Sequence, residues 1–219
     1  MRAPFQDRAE AGRALADLLG RFAGRQDVLV LALPRGGVPV AAEIAKSLRL
    51  PLDVFVVRKL GLPFQPELAM GAIATGGVRV LNREVVEGLS VPAEVIEAVS
   101  GQEESELKRR ERLYRDDRPL PSLEAKTIIL VDDGIATGST MTAAVRALRQ
   151  KNVESIVVAA PVMSTSGFRE MEEAADEVAT LIASDSFHGV GQFYTDFSQT
   201  TDEEVREQLS QVRRNQLQE

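Results

Sequence analysis

The chain has 219 residues, of which 27% are charged and 44% are hydrophobic, and its formal net charge is −7. This length suits one sizeable domain with a full core and argues against two fully independent domains. The acidic net charge argues against a protein that binds nucleic acid over much of its surface. Cysteine is absent, which excludes disulfide bonds, thiolate catalysis and cysteine-bound zinc.

The apolar residues are spread in short runs. No run approaches the length that spans a bilayer, and residues 1–20 lack the apolar core of a signal peptide. We therefore expect a cytoplasmic protein with no membrane partner.

The first 60 residues alternate between helix and strand patterns. Helical spacing of apolar residues and buried, β-branched runs predict, in chain order, a helix over 5–22 with Asp7 as its N-cap, a strand over 28–33, a helix over 40–48 and a strand over 54–57. The first strand leads into Pro34-Arg35-Gly36-Gly37 and the second into Arg58-Lys59. Both strands therefore deliver glycine-rich or basic segments to what should be one edge of a sheet.

The alternation is interrupted between residues 61 and 121, which we interpret as an insertion or a lid. Short strand patterns at 72–74 and 78–81 flank Thr75-Gly76-Gly77 and predict a β-hairpin. Residues 92–114 predict a long helix whose charged face is typical of a solvated surface.

Strands and helices alternate again in the second half of the chain. The pattern predicts strands over 126–131, 155–161 and 178–183, helices over 141–148 and 167–175, and a final helix that begins at the capping box Thr201 to Glu204. Short loops between such elements imply right-handed crossovers. The sequence thus predicts a single α/β domain over residues 1–219, with a mainly parallel sheet flanked by helices.

The segment after the strand at 126–131 carries the clearest chemical signal. The strand ends in Asp132 and Asp133, at the sheet edge where open α/β folds bind ligands. Gly134 and Gly138 permit tight backbone turns, and three hydroxyl side chains stand beside the amides that open the next helix. A loop of this composition is suited to bind an anion.

The segment from Val131 to Thr140 resembles the phosphoribosyl-diphosphate (PRPP) signature of the type I phosphoribosyltransferases. The resemblance implies the type I phosphoribosyltransferase fold, in which residues 184–219 would form a small hood and a C-terminal helix. It also implies that Asp132 and Asp133 bind the ribose hydroxyls and lie near Mg²⁺, directly or through water or ribose. The implied PRPP-binding residues are Asp132, Asp133, Gly134, Ala136, Thr137, Gly138, Ser139 and Thr140, of which Ala136 to Thr140 hold the 5-phosphate.

The same resemblance assigns pyrophosphate to the two earlier segments. Arg35, Gly36 and Gly37 match the pyrophosphate loop of the family in position and composition, and the resemblance implies a cis peptide between Pro34 and Arg35. Arg58 and Lys59 stand where relatives place basic residues that contact pyrophosphate or the reacting sugar. The implied catalytic residues are Asp132, Asp133, Arg35 and Lys59. For Pro34 to Gly37 the alternative is a plain strand-to-helix turn with a surface arginine. For Arg58 and Lys59 the alternative is a solvated basic pair.

Aromatic residues cluster late in the chain, at Phe187, Phe193 and Tyr194. The resemblance implies that one of them stacks on a nucleobase-like acceptor, and the alternative is a packing cluster that anchors the C-terminal tail. His188, the only histidine, is more typical of a structural residue than of a catalytic one. Glu67 could face the same cleft as the basic pair or simply begin a helix.

The resemblance thus implies a Mg²⁺-dependent phosphoribosyltransferase that transfers ribose 5-phosphate from PRPP to a nitrogenous, nucleobase-like acceptor and releases pyrophosphate. Members that act on 6-oxopurines usually carry an aspartate where this chain has Ala136, which argues mildly against such bases.

A non-catalytic PRPP or nucleotide sensor on the same fold is the main alternative, and the negative net charge disfavours one that binds nucleic acid. A P-loop hydrolase is excluded because no Gly-x-x-x-x-Gly-Lys-Ser/Thr motif is present. The sequence leaves a homo-oligomer open.

Overall fold

The computed structural model describes residues 4–216, so the two ends of the expected domain, 1–3 and 217–219, lie outside the described residues. The helices are α1 (Arg8–Leu18), α2 (Gly37–Leu48), α3 (Arg83–Gly88), α4 (Ala93–Arg115), α5 (Ser139–Arg149), α6 (Thr165–Ala174) and α7 (Asp202–Gln216). The strands are β1 (Val28–Ala32), β2 (Leu52–Val54), β3 (Val57–Leu62), β4 (Gln65–Ala74), β5 (Val78–Leu81), β6 (Thr127–Val131), β7 (Ser155–Ala159), β8 (Val162–Ser164), β9 (Glu177–Ala179) and β10 (Ile182–Ser184).

Five strands form the central sheet, in the order β2-β1-β6-β7-β9, and every pairing is parallel. All five residues of β1 and all five of β6 are buried, as expected for strands that are covered on both faces. The predicted parallel sheet flanked by helices is confirmed.

Side chains alternate between the two faces of this sheet and build two cores. Val28 and Val30 of β1 pack with helices α1, α2, α4 and α7. Leu29 and Leu31, from the same strand, pack with α5 and α6 on the opposite face. The period of two along β1 therefore divides the apolar residues between the two helical layers.

The predicted strand at 54–57 is wrong, because the chain changes sheets within it. β2 ends at Val54 in the central sheet, and β3 begins at Val57 in a separate antiparallel sheet ordered β3-β4-β5. The backbone amide of Phe55 still donates to Ala32 O, whereas the amide of Val56 donates to Thr75 Oγ1, in the turn that follows β4 of the other sheet. Both residues are buried and apolar, so their pattern could not show where one strand ends and the next begins.

The antiparallel sheet begins the interruption, at residue 57 rather than 61. The predicted hairpin is present, and Gly76 and Gly77 adopt left-handed φ angles of +79° and +72° in its turn. The long helix is also present as α4, with Pro92 as its N-cap. The short helix α3 was not predicted, and no residue of it is buried.

The predicted strand at 178–183 is likewise divided. β9 joins the central sheet, whereas β10 pairs in parallel with β8 in a small sheet of its own. The amides of Leu181 and Ile182 both donate to Pro161 O, which draws the chain out of the central sheet. Phe5, Phe193 and Tyr194 pack beside this small sheet, and we call residues 182–200 the hood.

The last helix begins as predicted. Thr201 Oγ1 accepts a hydrogen bond from the amide of Glu204 at 3.1 Å, and Glu204 Oε2 accepts one from the amide of Thr201 at 2.7 Å. These reciprocal bonds form the capping box that precedes α7. Within residues 4–216, none of the helices has both the length and the apolar character needed to cross a membrane.

A buried arginine attaches the insertion to the central sheet. The Arg115 side chain, at the end of α4, is 4% exposed, and its Nε lies 2.8 Å from Asp53 Oδ1 on β2. It also donates to Val54 O and forms an ion pair with Glu111 at 3.0 Å. This network ties α4 to the strand that precedes the change of sheets.

We expect Arg115→Ala to lower the free energy of unfolding by about 3 kcal/mol, because Asp53 would remain buried without its cation. Urea denaturation followed by circular dichroism measures the loss. Arg112 lies on the same helix and is exposed, so Arg112→Ala should change stability by less than about 0.5 kcal/mol. Equal losses in the two variants would contradict the role of Arg115.

Candidate active site

Two loops meet at the carboxyl edge of the central sheet, one after β1 and one after β6. The loop after β1 contains Gly36 and Gly37, and the loop after β6 begins with Asp132 and Asp133. A Cβ on Gly37 would lie 2.6 Å from Val131 O and 2.9 Å from Asp132 Cα. A Cβ on Gly36 would overlap the carboxylate of Asp133. The loops can lie this close only because neither glycine carries a side chain.

The peptide bond between Pro34 and Arg35 is cis, as the resemblance implied. The Arg35 side chain extends toward the start of α7, where its Nη1 lies 4.0 Å from Asp202 Oδ1. Tyr114 Oη donates to the same carboxylate oxygen at 2.6 Å. Arg35 is therefore at the predicted loop, but its guanidinium is next to α7 and α4.

The loop from Ala136 to Thr140 is shaped around Gly138, which has a φ of +76° and is the N-cap of α5. Ala136, Thr137, Ser139 and Thr140 are all exposed. Ser164 Oγ donates to Ala136 O and so holds the start of the loop against β8. Exposed hydroxyls beside the unpaired amides at a helix N-terminus form a surface that suits an anion.

The paired carboxylates lie side by side and are largely buried, with the Asp133 side chain 13% exposed. Asp132 Oδ1 accepts a hydrogen bond from the amide of Asp133 at 2.9 Å. Burial raises the pKa of Asp132 well above its ordinary value, and the neighbouring charge of Asp133 raises it further. Burial also raises the pKa of Asp133, although a hydrogen bond from Arg8 opposes this shift. A cation or hydroxyl donors would therefore stabilise the ionised pair.

The carboxylates supply hard oxygen ligands of the kind that Mg²⁺ prefers. Residues 4–216 contain no group of three or more histidines, cysteines or acids placed to hold a metal ion. The two carboxylates alone could supply part of the oxygen shell of a Mg²⁺ ion.

A cleft of about 880 Å³ lies between the antiparallel sheet and the start of α5. Thr137, Ser139 and Thr140 line one wall, and Arg58 and Lys59 line the other. The two basic residues therefore face the loop hydroxyls, although they lie within β3 rather than at the end of a central strand. That predicted position was wrong because the strand at 54–57 is divided.

The two cations already have acidic neighbours. Arg58 Nε lies 2.6 Å from Glu103 Oε2 of α4. Lys59 Nζ donates to the backbone oxygen of Glu67 and lies 3.5 Å from its carboxylate. Glu67 also lines the cleft, although it belongs to β4 and begins no helix. Within the described residues, the lining of this cleft includes neither carboxylate of the pair nor the glycine loop, so the predicted site residues form two adjoining groups.

The late aromatic residues are mainly packing residues. Phe193 and Tyr194 are 7% and 4% exposed, and Tyr194 Oη donates to Asp133 O at 2.7 Å. Their burial contradicts the prediction that either ring stacks on an acceptor, because neither presents a free face. Phe187 is half-buried against Phe193. His188 is exposed, and its backbone amide donates to Gln192.

Sequence reasoning missed two residues of this region. Arg8 Nε lies 2.7 Å from Asp133 Oδ2, across 125 positions of the chain. Glu170 of α6 accepts a hydrogen bond from Thr142 Oγ1 at 2.6 Å, and its other carboxylate oxygen lies 3.2 Å from where a Cβ on Gly138 would be. No local pattern marks either residue, because each is brought to the site by the packing of its helix.

The family comparison agrees with this geometry. The model of the phosphoribosyl transferase domain matches residues 66–198, which is more than half of the chain. The chain belongs to the phosphoribosyltransferase family. The matched region contains the paired carboxylates and the hydroxyl loop, whereas Gly36, Gly37 and the basic pair lie before it.

Individual relatives are similar to nearly the whole of this phosphoribosyltransferase-family chain. Proteins from two Mycobacterium tuberculosis strains (CDC 1551 / Oshkosh and H37Rv), provisionally named phosphoribosyl transferases, are each 47% identical over 211 residues. That alignment covers 96% of this chain, and the chain spans about half of those relatives, or 47% of their length. The crystal structure of TT1426 from Thermus thermophilus is 38% identical, with a TM-score of 0.85 over 97% of this chain and 99% of that one.

We expect Glu170→Gln to tighten the binding of inorganic phosphate roughly fivefold, because it removes a negative charge beside the loop and keeps an oxygen that Thr142 can donate to. Isothermal titration calorimetry measures the dissociation constant. Glu173 is exposed on the same helix, and Glu173→Gln serves as the matched control. Unchanged or weaker binding in the Glu170 variant would show that phosphate does not occupy this loop.

Proposed function

We propose that the protein is a Mg²⁺-dependent phosphoribosyltransferase, which transfers ribose 5-phosphate from PRPP to a nitrogenous acceptor resembling a nucleobase. The observation that supports this most is the segment from Asp132 to Thr140. It places two carboxylates at the end of a central strand and follows them with exposed hydroxyls at a helix N-terminus. Its contact with Gly36 and Gly37 adds bare backbone beside the same carboxylates.

In the proposed reaction, a nitrogen of the acceptor forms a bond to C1 of the ribose while the bond from C1 to the pyrophosphate oxygen breaks. Pyrophosphate leaves with the bonding electrons, and any proton on the attacking nitrogen passes to solvent. The sugar becomes cationic as these bonds change. The protein must therefore position both reactants and stabilise the leaving anion.

The described residues divide these tasks. Asp132 and Asp133 would accept hydrogen bonds from the ribose hydroxyls, and the loop from Ala136 to Thr140 would bind the 5-phosphate. Backbone amides at Gly36 and Gly37 can approach pyrophosphate closely, with Arg35 beside them. Arg58 and Lys59 face the phosphate loop across the cleft and add positive charge. Mg²⁺ bound near the carboxylates would neutralise charge on the pyrophosphate.

Residue 136 bears on the acceptor. Alanine cannot exchange a proton with a base, so this position lacks the acid typical of family members that act on 6-oxopurines. The proposed acceptor is therefore a nitrogenous compound that needs no acid from this position. Phe193 and Tyr194 are buried, whereas Phe187 is only partly buried and keeps some ring surface for an acceptor.

A sensor that binds PRPP or a nucleotide without turnover is the second candidate. The ion pairs of Arg58 with Glu103 and of Lys59 with Glu67 favour it, because paired cations are less available to stabilise a leaving pyrophosphate. The two proposals differ in one measurement. An enzyme releases pyrophosphate when PRPP, Mg²⁺ and the correct acceptor are present, whereas a sensor binds PRPP and releases none with any base in a panel.

We expect the double variant Asp132→Asn, Asp133→Asn to bind PRPP at least about 100-fold more weakly than the wild type, because the amides cannot bind the ribose hydroxyls and Mg²⁺ as carboxylates do. Calorimetric titration with PRPP and Mg²⁺ measures the affinity, and circular dichroism checks the fold. Asp185 is exposed in the hood, so Asp185→Asn should bind normally. Undiminished binding by the double variant would refute the assignment of the PRPP site.

We also expect removal of divalent cations with EDTA to abolish pyrophosphate release, and added Mg²⁺ to restore it, since the paired acids and the diphosphate would repel each other without a cation. A coupled pyrophosphate assay with PRPP and a panel of nucleobases measures the rate. Full activity in EDTA would contradict the dependence on Mg²⁺.

A further inference from the structure

Arg8 connects the paired carboxylates to the hood. It is the first residue of α1, yet its side chain is only 11% exposed. Its Nε donates to Asp133 Oδ2 at 2.7 Å, and its Nη1 donates to the backbone oxygen of Ser198 at 2.8 Å. One guanidinium thus joins a site carboxylate to the hood.

Aromatic packing holds that guanidinium in place. Its central carbon lies 4.0 Å from the ring centre of Phe197 and 6.0 Å from that of Tyr194. The two rings stack with their centres 5.2 Å apart. A guanidinium over a ring face gains cation–π attraction and loses rotational freedom. Arg8 is therefore held in place by contacts within the chain itself.

Asp133 is held at two points by this arrangement. Arg8 binds its side chain, and Tyr194 Oη donates to its backbone oxygen at 2.7 Å. The carboxylate also fills the space beside Gly36 where a side chain would otherwise be. With Oδ2 bound to Arg8, Oδ1 is the oxygen that can accept a hydrogen bond from a sugar.

We propose that Arg8 is a positioning residue for the sugar site, and that with Phe197 it fixes the Asp133 carboxylate in the orientation that receives a ribose hydroxyl. This inference rests on the proposed function, because it assumes that the paired carboxylates bind ribose. Fixing the carboxylate in advance removes the entropy cost of ordering it when the sugar arrives. The effect should therefore be specific to ligands that carry a ribose ring.

The test compares two ligands, ribose 5-phosphate and inorganic pyrophosphate, by calorimetric titration of the full chain with Mg²⁺. Arg8→Ala should raise the dissociation constant for ribose 5-phosphate about tenfold and that for pyrophosphate less than about twofold. Arg8→Lys keeps the charge but loses the planar fork, so we expect an increase of about threefold for ribose 5-phosphate only. A role in stability alone would not separate the two ligands.

Two further variants complete the design. Arg13 lies on the same helix, 56% exposed, with its Nη1 3.3 Å from Glu43, so Arg13→Ala should leave both constants unchanged. Phe197→Leu keeps Arg8 and Asp133 and removes the ring at a 38% exposed position. It should weaken ribose 5-phosphate binding about threefold, and it tests the proposal even if Arg8→Ala does not fold.

The outcomes are distinguishable. Normal ribose 5-phosphate binding by the Arg8 variants would overturn the positioning role and leave the proposed function standing. Equal weakening of both ligands in Arg8→Ala, with recovery of both in Arg8→Lys, would also overturn it by showing a general charge effect. A wild-type protein that binds neither PRPP nor ribose 5-phosphate would overturn the proposed function, and the inference with it.

Discussion

The close approach of two loops at the carboxyl edge of the central sheet is the constraint on which the site depends. β1 and β6 pair in parallel and in register from Val28 with Thr127 to Ala32 with Val131, so their ends lie side by side. Gly37 then lies against Val131 O, and Gly36 lies against the Asp133 carboxylate. A side chain at either position would separate the acids from the loop that faces them. The register of β1 with β6 and the lack of a side chain at Gly36 and Gly37 therefore together set the geometry of the site.

The same crowding creates an electrostatic problem. Two neighbouring carboxylates are withdrawn from water, and burial raises the pKa of both. Arg8 offsets part of this cost at Asp133, and its own position depends on Phe197 and on the backbone of Ser198. The hood is therefore linked to the acids through Arg8 as well as through Tyr194. Tyr194 and Phe197 of the hood therefore hold Asp133 and Arg8, respectively, in place.

The insertion supplies the wall of the cleft that faces the hydroxyl loop from Ala136 to Thr140. The chain leaves the central sheet after Val54, and β3 then carries Arg58 and Lys59 to the cleft beside Thr137 and Ser139. Arg115 anchors α4 to Asp53 at the point where the chain departs. The basic pair thus lies on a strand that packs against α4 and α5, and its distance from the acids follows from how the antiparallel sheet lies on α5.

Local patterns in the sequence were enough to predict the parallel sheet, the hydroxyl loop after Asp133, the hairpin at Gly76-Gly77 and the capping box of α7. Each depends on the spacing of apolar residues or on the backbone preferences of a few neighbours. The change of sheet at Phe55 and Val56, the burial of Phe193 and Tyr194, and the contacts of Arg8 and Glu170 were decided by tertiary structure alone. Those features join segments that are up to 190 residues apart, as with Arg8 and Ser198. Such contacts exist only after the helices and sheets have packed, so no local pattern encodes them.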